Sequence, residues 1–291
     1  MSSVPTAEII RSAESVIESA EVRGNPEILL YLKEKIELAE FELRDFARVV
    51  EEEEALSERV ITLANSAWYG SRRHIDNVEV AVVELGAAPF YDLVLCSFLR
   101  LGLRIPPGQR MRFWEHCEMT GQVCRQIAHH VSSQDADNAF TIGLFHDCGV
   151  PLMSNQFEDY EGYMDAALSG QAAADDRENE IFGCNHSVIG SVLVRRWKLP
   201  PPVAEAMVWH HAEELPSEVT DEAQRLWALL TFTKGCVQSW TGEDPKASRS
   251  PMAPGTPLAA GICTALGIDE DRLHAVANEV LELLKLRVQS M

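Results

Sequence analysis

A histidine and an aspartate are neighbours at His146 and Asp147, within the segment NAFTIGLFHDCGV. An imidazole nitrogen and an adjacent carboxylate can bind one divalent metal ion, and the carboxylate can also bridge two ions. A metal ion bound in this way lowers the pKa of a bound water molecule and polarises a phosphoryl oxygen. The pair therefore indicates hydrolytic metal chemistry, or a metal site that once served it.

Four further histidines are candidate ligands beside this pair, and the helical segments that carry them place a histidine on the apolar stripe. A single histidine on such a stripe is more often a hydrogen-bonded core residue than a ligand. Four of them together with an aspartate favour a cluster. We predict a site for a divalent metal, Fe, Mn or Zn, formed by His116, His146, Asp147, His186, His210 and His211.

Helical periodicity dominates the rest of the chain, and the alternating pattern of strands hardly occurs. Near the end, apolar residues at helical spacing predict a helix that Asp269 caps. The sequence predicts an all-α protein with two packed helical subdomains. We expect an N-terminal helical half over residues 1–108, a histidine-bearing helical core over 109–240, a loop over 241–257 and a C-terminal helical extension over 258–291.

The composition excludes several classes of function. A net charge of −20 argues against nucleic-acid binding, because the field of the chain repels a polyanion. Hydrophobic residues make up 46%, which is enough for a sizeable core, but no apolar run approaches the ~18 residues of a membrane span. The N-terminus lacks the pattern of a secretory signal, and seven cysteines without a CxxC pair fit reduced thiols. We expect a cytoplasmic protein that binds neither nucleic acid nor membrane.

The stretch VITLANSAWYGSRRHIDNVEVAVVELG, from Val60 to Gly86, resembles the N-terminal signature of the HDOD family, the HD-related output domains of bacterial signalling proteins. Later segments are similar as well: FWEHC, GLFHDCG, the ExxxFGCNHSxIG pattern and RRWKLPPPVAEAMVWHH. The resemblance runs from about residue 26 to about residue 237. It implies an HD-type helical core preceded by a family-specific helical half.

The parent HD superfamily consists of metal-dependent phosphohydrolases that act on nucleotides and cyclic dinucleotides. By resemblance, His116 matches the first histidine ligand, and His146 and Asp147 match the central pair. His186 and the pair His210 and His211 fall where the two-metal branch has additional histidine ligands.

Two departures from the HD pattern concern catalysis. By the resemblance, the lysine that commonly follows the central motif is replaced by Val150, and Phe232-Thr233 replaces the Ala-Asp that carries the final ligand. A charge-assisted contact to phosphate is worth about 1.5–3 kcal/mol, so its loss slows phosphoryl chemistry by one to two decades. Both losses favour binding over turnover.

Three hypotheses follow for the function. The first is a non-catalytic bacterial signal-transduction or regulatory domain with a degenerate HD metal site, which binds a partner protein or a small, nucleotide-type ligand. The alternative is a metal-dependent phosphohydrolase that acts on a nucleotide or cyclic dinucleotide. The third is a metal- or redox-sensing domain in which Cys148 or Cys184 joins the histidines. The sequence does not indicate an oligomeric state.

Overall fold

A computed structural model describes residues 4–20, 22, 24–38, 42–66, 73–105, 110–160, 174–241 and 256–289. These residues form α-helices joined by turns and two short 3-10 helices, and they contain no strand. The all-α prediction is confirmed. In this part of the chain no helix is both long and apolar enough to cross a membrane.

The helices follow one another with short connections. In chain order they are α1 Ala7–Ser19, α2 Pro26–Leu38, α3 Leu43–Glu51, α4 Glu54–Ala64, α5 Val78–Leu85, α6 Ala87–Gly102, α7 Arg110–Val131, α8 Ala136–Phe145, α9 Gly149–Gln156, α10 Ala174–Phe182, α11 His186–Arg196, α12 Pro201–Val208, α13 Asp221–Thr241, α14 Pro257–Leu266 and α15 Glu270–Gln289.

Two compact units divide these helices. Helices α2 to α6 form one unit over residues 22–104, and α1 with α7 to α15 forms the other over residues 1–21 and 105–291. We expected residues 1–21 in the N-terminal half, but α1 packs against α9 and α11 because its apolar stripe is buried there. Helices α14 and α15 pack against α13 and α7 of the same unit. The predicted loop over 241–257 falls almost entirely outside the described residues.

The smaller unit contains the segment that carries the family signature, and Asn65 has a structural role in it. Its amide nitrogen Nδ2 donates to the Ile75 carbonyl at 2.7 Å, and its Oδ1 accepts from the Ile75 backbone N–H at 2.8 Å. The side chain of Asn65 thereby holds the backbone at Ile75 next to the end of α4. Trp68 and Tyr69 of the signature lie outside the described residues.

In the larger unit, two glycines let α7 and α8 approach closely. A Cβ atom on Gly143 would lie 2.7 Å from the Cα atom of Gly121, a distance that two packed helices with larger residues could not reach. Because His116 is on α7 and His146 directly follows α8, this crossing determines how close the two imidazoles come.

Candidate metal centre

All six predicted ligands come together in the larger unit. His116 lies on α7, His146 and Asp147 occupy the turn between α8 and α9, and His186 is the first residue of α11. His210 and His211 follow α12. The side chain of His116 is 27% exposed, whereas those of the other five residues are buried. The cluster is therefore internal, with His116 on its solvent side.

The Asp147 carboxylate stands at the middle of the cluster. Its Oδ2 lies 3.0 Å from Nε2 of His146 and 3.4 Å from Nε2 of His116. Its Oδ1 lies 3.4 Å from Nε2 of His210 and 3.9 Å from Nε2 of His186. Each carboxylate oxygen thus faces a different pair of imidazoles, the arrangement expected of a bridging carboxylate.

Neither oxygen of Asp147 has a hydrogen-bond partner, although both are fully buried. Leaving a buried carboxylate without a compensating partner is costly, so native proteins pair such groups or use them to bind metal. The nearby imidazole nitrogens approach the carboxylate without the alignment of a hydrogen bond. A cation between them satisfies all of these atoms at once.

The spacing between imidazole nitrogens matches a metal coordination shell. Nε2 of His186 lies 3.4 Å from Nε2 of His210 and 2.9 Å from Nε2 of His211, and the His116–His146 pair is also separated by 3.4 Å. Two nitrogens bound tetrahedrally to zinc at ~2.0–2.1 Å are roughly 3.3 Å apart. The side chains therefore fit a divalent ion without a large rearrangement.

The second ring nitrogen of three histidines is anchored, which orients Nε2 toward the cluster. Nδ1 of His146 lies 2.8 Å from the Gly143 carbonyl, and Nδ1 of His210 lies 2.7 Å from the Met207 carbonyl. A carbonyl only accepts, so each Nδ1 is the donor and each Nε2 is left as a free ligand nitrogen in the neutral ring. Outer contacts of this kind accompany metal-binding histidines in general.

His186 is anchored by a carboxylate instead. Its Nδ1 lies 2.7 Å from Oε2 of Glu178, which also accepts the His186 backbone N–H at 2.8 Å. The other oxygen of Glu178 accepts from the Tyr160 hydroxyl at 2.7 Å. Asp175 lies beside them, with its Oδ1 3.7 Å from His186 Nδ1, and accepts from the Ser187 hydroxyl at 2.6 Å.

Three overlapping groups of described residues could hold a metal ion. One of them, Asp175, Glu178 and His186, lies beside the cluster, and the other two contain Asp147. Of these two, one has four donors, Asp147, His186, His210 and His211, and all are buried. The other has three donors, His116, His146 and Asp147. The first is a complete four-coordinate set, whereas the second would leave a position for water or a ligand. Asp147 belongs to both.

Burial keeps most of these imidazoles neutral and ready to bind metal. It lowers the pKa of His210 to about 3 and also lowers the pKa values of His146 and His211. Burial would by itself raise the pKa of Asp147, but the surrounding histidines, first His146, hold it well below its usual range. His186 differs: burial opposes its protonated form, but Glu178 and then Asp175 raise its pKa to about 9.

A close backbone contact positions His186 against the His-Asp turn. A Cβ atom on Gly149 would lie 2.0 Å from the backbone carbonyl oxygen of His186. Helix α9 can therefore begin against the start of α11 only with glycine at this position. Because Asp147 is two residues before Gly149, the contact sets the separation of Asp147 from His186.

The two positions at which the sequence departs from the HD pattern lie outside the cluster. Val150 is fully buried in the core. The Thr233 hydroxyl donates to the Leu229 carbonyl at 2.7 Å and interacts with the Cys124 thiol of α7. Among the described residues, no cysteine belongs to a group that could hold a metal ion, so Cys148 and Cys184 do not join the histidines.

Sequence reasoning missed Lys234, the residue after Thr233. Burial is the main cause of the lowered pKa values of His146 and His210, and the charge of Lys234 lowers both further. The sequence reasoning also assigned no role to Glu178 or Asp175. The signal for Glu178 was its position eight residues before His186, which a short turn can bring together, although the spacing does not by itself indicate a contact.

The comparison with known proteins decides the family, since the HDOD domain matches residues 24–213, more than half of the chain. The chain belongs to the HDOD family. The predicted resemblance is confirmed. The match ends before α13 begins, so the HDOD pattern gives no information about Lys234.

Solved structures with the same fold come from several bacteria. An HDOD domain protein from Geobacter sulfurreducens is 21% identical, with a TM-score of 0.70 over 97% of each chain. A candidate phosphohydrolase from Shewanella amazonensis is 20% identical, with a TM-score of 0.69 over 96% of each chain. A candidate signal transduction protein from Marinobacter aquaeolei is 18% identical, with a TM-score of 0.72 over 98% of this chain and 64% of that one. At these identities the likeness shows the fold alone.

A curated relative extends beyond the region it shares with this chain. An uncharacterised protein of Treponema pallidum is 22% identical over 222 residues, which are 76% of this chain and 43% of that protein. The chain thus spans less than half the length of this relative.

Proposed function

We propose that this HDOD protein is a signalling or regulatory protein that binds a divalent metal ion in its buried histidine–aspartate centre. It acts by binding a partner protein or a small, nucleotide-type ligand. The observation that supports it best is the Asp147 carboxylate, which is buried without a hydrogen-bond partner and surrounded by imidazole nitrogens at 3.0–3.9 Å.

The four-donor group, Asp147 with His186, His210 and His211, is the set best suited to hold the metal. Three imidazole nitrogens and one carboxylate suit zinc, iron or manganese. When bound, such an ion supplies a positive charge that can polarise an oxygen of a ligand. The protein contributes the anchored imidazoles, the exclusion of water by burial and the partly exposed His116 as the side from which a ligand approaches.

The residues at two positions where HD enzymes carry a lysine and an aspartate, Val150 and Thr233, favour ligand binding over catalytic turnover. The position after the His-Asp motif that commonly carries a lysine is the buried Val150, which cannot contact a phosphate. The helix that carries the final aspartate ligand in HD enzymes has Thr233 in its place, and Thr233 is bonded within its own helix. A centre with these changes retains a cation site and lacks two groups used in phosphoryl transfer.

Metal-dependent phosphohydrolysis is the second candidate, and one observation favours it. After burial, the charge of Lys234 on α13 is the next cause that lowers the pKa of His210, so a lysine influences the centre although Val150 stands where the HD pattern has one. A lysine near a metal ion is suited to a phosphate oxygen.

An assay of metal-loaded protein against a panel of nucleotides and cyclic dinucleotides separates the two candidates. Ligand binding is measured by calorimetry and product formation by chromatography. Asp147→Asn preserves the shape of the site and removes its central charge, and Asp137→Asn is the matched control because its side chain is 76% exposed. The signalling proposal predicts binding without turnover above the Asp147→Asn level. If the parent and Asp137→Asn both turn over a substrate and Asp147→Asn does not, the hydrolase is established instead.

A further inference from the structure

The four-donor group leaves no position for a ligand when all four side chains bind a tetrahedral ion. Asp147, His186, His210 and His211 supply one donor atom each, and such an ion takes four. Binding of a ligand to an ion in this group therefore requires one of the four side chains to leave. The hydrogen bonds of the imidazole rings indicate which one.

His211 differs from the other histidines of the four-donor group because its second ring nitrogen is not anchored by any described residue. Nδ1 of His210 lies 2.7 Å from the Met207 carbonyl, and Nδ1 of His186 lies 2.7 Å from Oε2 of Glu178. Nδ1 of His211 is buried and has no hydrogen-bond partner in the described part of the chain. Its Nε2 lies 2.9 Å from Nε2 of His186, so this nitrogen is directed at the other donors.

The missing anchor makes metal binding least favourable at His211. A neutral imidazole carries one proton, which sits on Nδ1 when Nε2 is the ligand atom. In His210 and His186 an oxygen atom accepts that proton in a hydrogen bond. In His211 the Nδ1–H is a buried donor for which the described residues offer no acceptor, and this is unfavourable. His211 is therefore the weakest of the three imidazole donors.

The turn that carries His211 is held by hydrogen bonds at the residue that follows it. The Ala212 backbone N–H donates to the Trp209 carbonyl at 2.8 Å, and the Ala212 carbonyl accepts from the Trp227 indole at 3.3 Å. These contacts fix the backbone and leave the imidazole ring unanchored. A rotation of the His211 side chain would therefore remove one donor without moving the turn.

The charge of the group favours an anion in the position that His211 leaves. The four donors consist of one carboxylate, which carries a single negative charge, and three imidazoles, which are neutral as ligands. A divalent ion in this group therefore keeps an excess of one positive charge in a buried site, where an uncompensated charge is unfavourable. An anionic oxygen in place of a neutral imidazole removes this excess, and a phosphate group supplies such an oxygen.

We propose that His211 is the exchangeable donor of the centre: its side chain gives way to an anionic oxygen, such as a phosphate oxygen of a nucleotide-type ligand. Asp147, His186 and His210 keep their positions, and three protein donors are the number typical of zinc sites that keep an open position. The proposal rests on the proposed metal-binding function and makes it more specific, because it names the residue that couples the metal site to ligand binding.

The zinc affinity of the full chain, measured by equilibrium dialysis, tests whether His211 is the weakest donor. His210→Ala and His211→Ala each remove one imidazole, but only the ring of His210 is anchored. Because such an anchor contributes about 10–100-fold to metal affinity, His210→Ala should weaken zinc binding by about that factor more than His211→Ala does. His74→Ala is the control, since its side chain is 77% exposed, and it should bind zinc as the parent does. Equal losses in the two variants of the centre would overturn the inference.

Calorimetry with inorganic phosphate and the zinc-loaded proteins tests the exchange itself. In the parent, phosphate competes with His211, so it binds only the molecules in which this ring has left. A minor state of this kind is populated to about 10% or less, so His211→Ala should bind phosphate at least about 10-fold more tightly than the parent and His74→Ala do. A His211→Ala variant that binds phosphate no more tightly than the parent would overturn the inference.

The outcomes distinguish this inference from the function on which it rests. A parent that binds no zinc refutes the metal-binding function itself, whereas either negative result with a zinc-binding parent overturns the inference alone. If circular dichroism shows that His211→Ala is unfolded, His211→Gln retains a polar side chain of similar size. It should show the same two effects, and their absence there also overturns the inference.

Discussion

Replacing Gly149 with alanine tests whether the close contact between α9 and α11 determines the metal centre. The new Cβ atom would lie 2.0 Å from the carbonyl oxygen of His186, and 2.7 and 2.8 Å from the carbonyl carbon and Cα of the same residue. All three obstacles are backbone atoms, so no side-chain rotation can relieve them. One helix must shift relative to the other.

The size of the shift follows from these distances. Ordinary contacts of a Cβ atom begin at 3.4 Å, so the separation must grow by roughly 1.4 Å. Overpacking of a core costs about 1–3 kcal/mol, and a clash with backbone belongs at the upper end, near 3 kcal/mol. Metal–ligand distances tolerate only about 0.2 Å, so moving His186 away from Asp147 should also weaken metal binding by at least about 10-fold.

Urea denaturation of the metal-free protein and equilibrium dialysis of the metal measure the two effects. Gly261→Ala is the matched control: it lies within helix α14, and its Cβ atom would meet nothing nearer than 3.7 Å. Alanine there should stabilise the fold by about 0.5–1 kcal/mol and leave metal binding unchanged. If Gly149→Ala unfolds at the same urea concentration as the parent and retains full metal affinity, the reasoning about this contact is wrong.

Three further predictions concern the charges of the centre. Glu178→Gln should weaken metal binding about 10–100-fold, because Nδ1 of His186 loses its charged acceptor; equal dissociation constants in dialysis would contradict this. In metal-free protein, the pKa of His186 is about 9 in the folded state and 6.5 ordinarily. Its protonation therefore stabilises the fold fully below about pH 6.5, and this contribution is lost as the pH rises through about 9. Urea denaturation at a series of pH values over this range should show a loss of about 3 kcal/mol in the free energy of unfolding. Glu178→Gln should largely remove this pH dependence, and a free energy of unfolding that does not change with pH in the parent would refute the prediction. Zinc at 100 times its dissociation constant should stabilise the parent by about 2.7 kcal/mol in thermal or urea unfolding, and an equal gain in Asp147→Asn would show binding elsewhere.

That these side chains lie together could be predicted, because the prediction needs only residue types and local patterns; their role as ligands stays a prediction. Histidines on apolar helical stripes must face a common core when the helices pack, and His116, His146 and His186 do so. The ends of helices could be predicted too, because a capping residue lies next to its helix in the sequence. Asp269 caps α15, where its Oδ1 accepts the Arg272 backbone N–H at 2.7 Å.

The role of Lys234 could not be read from the sequence. Helix α13 is buried on most of its circumference, so its apolar pattern does not show which face is directed at the histidines. An error of one residue rotates the assignment by about 100°, and this separates Thr233 from Lys234. The rotation depends on tertiary contacts such as the hydrogen bond from the Trp227 indole to the Ala212 carbonyl.

The contacts of Glu178 and Gly149 were hidden for a related reason. A glutamate eight residues before a histidine meets it only if the intervening chain turns back, and many solvent-exposed glutamates have similar spacings. The need for glycine at residue 149 depends on how closely α11 approaches α9. Both depend on the packing of helices, which local periodicity does not determine.

Elemental analysis of tag-free protein from metal-supplemented cells tests the central claim most directly, with Asp147→Asn prepared in parallel. A buried metal centre predicts about one divalent ion per chain in the parent and a nearly complete loss in Asp147→Asn. Metal far below stoichiometric amounts in both proteins would contradict it, and the histidine cluster would then have to be explained as a metal-free core.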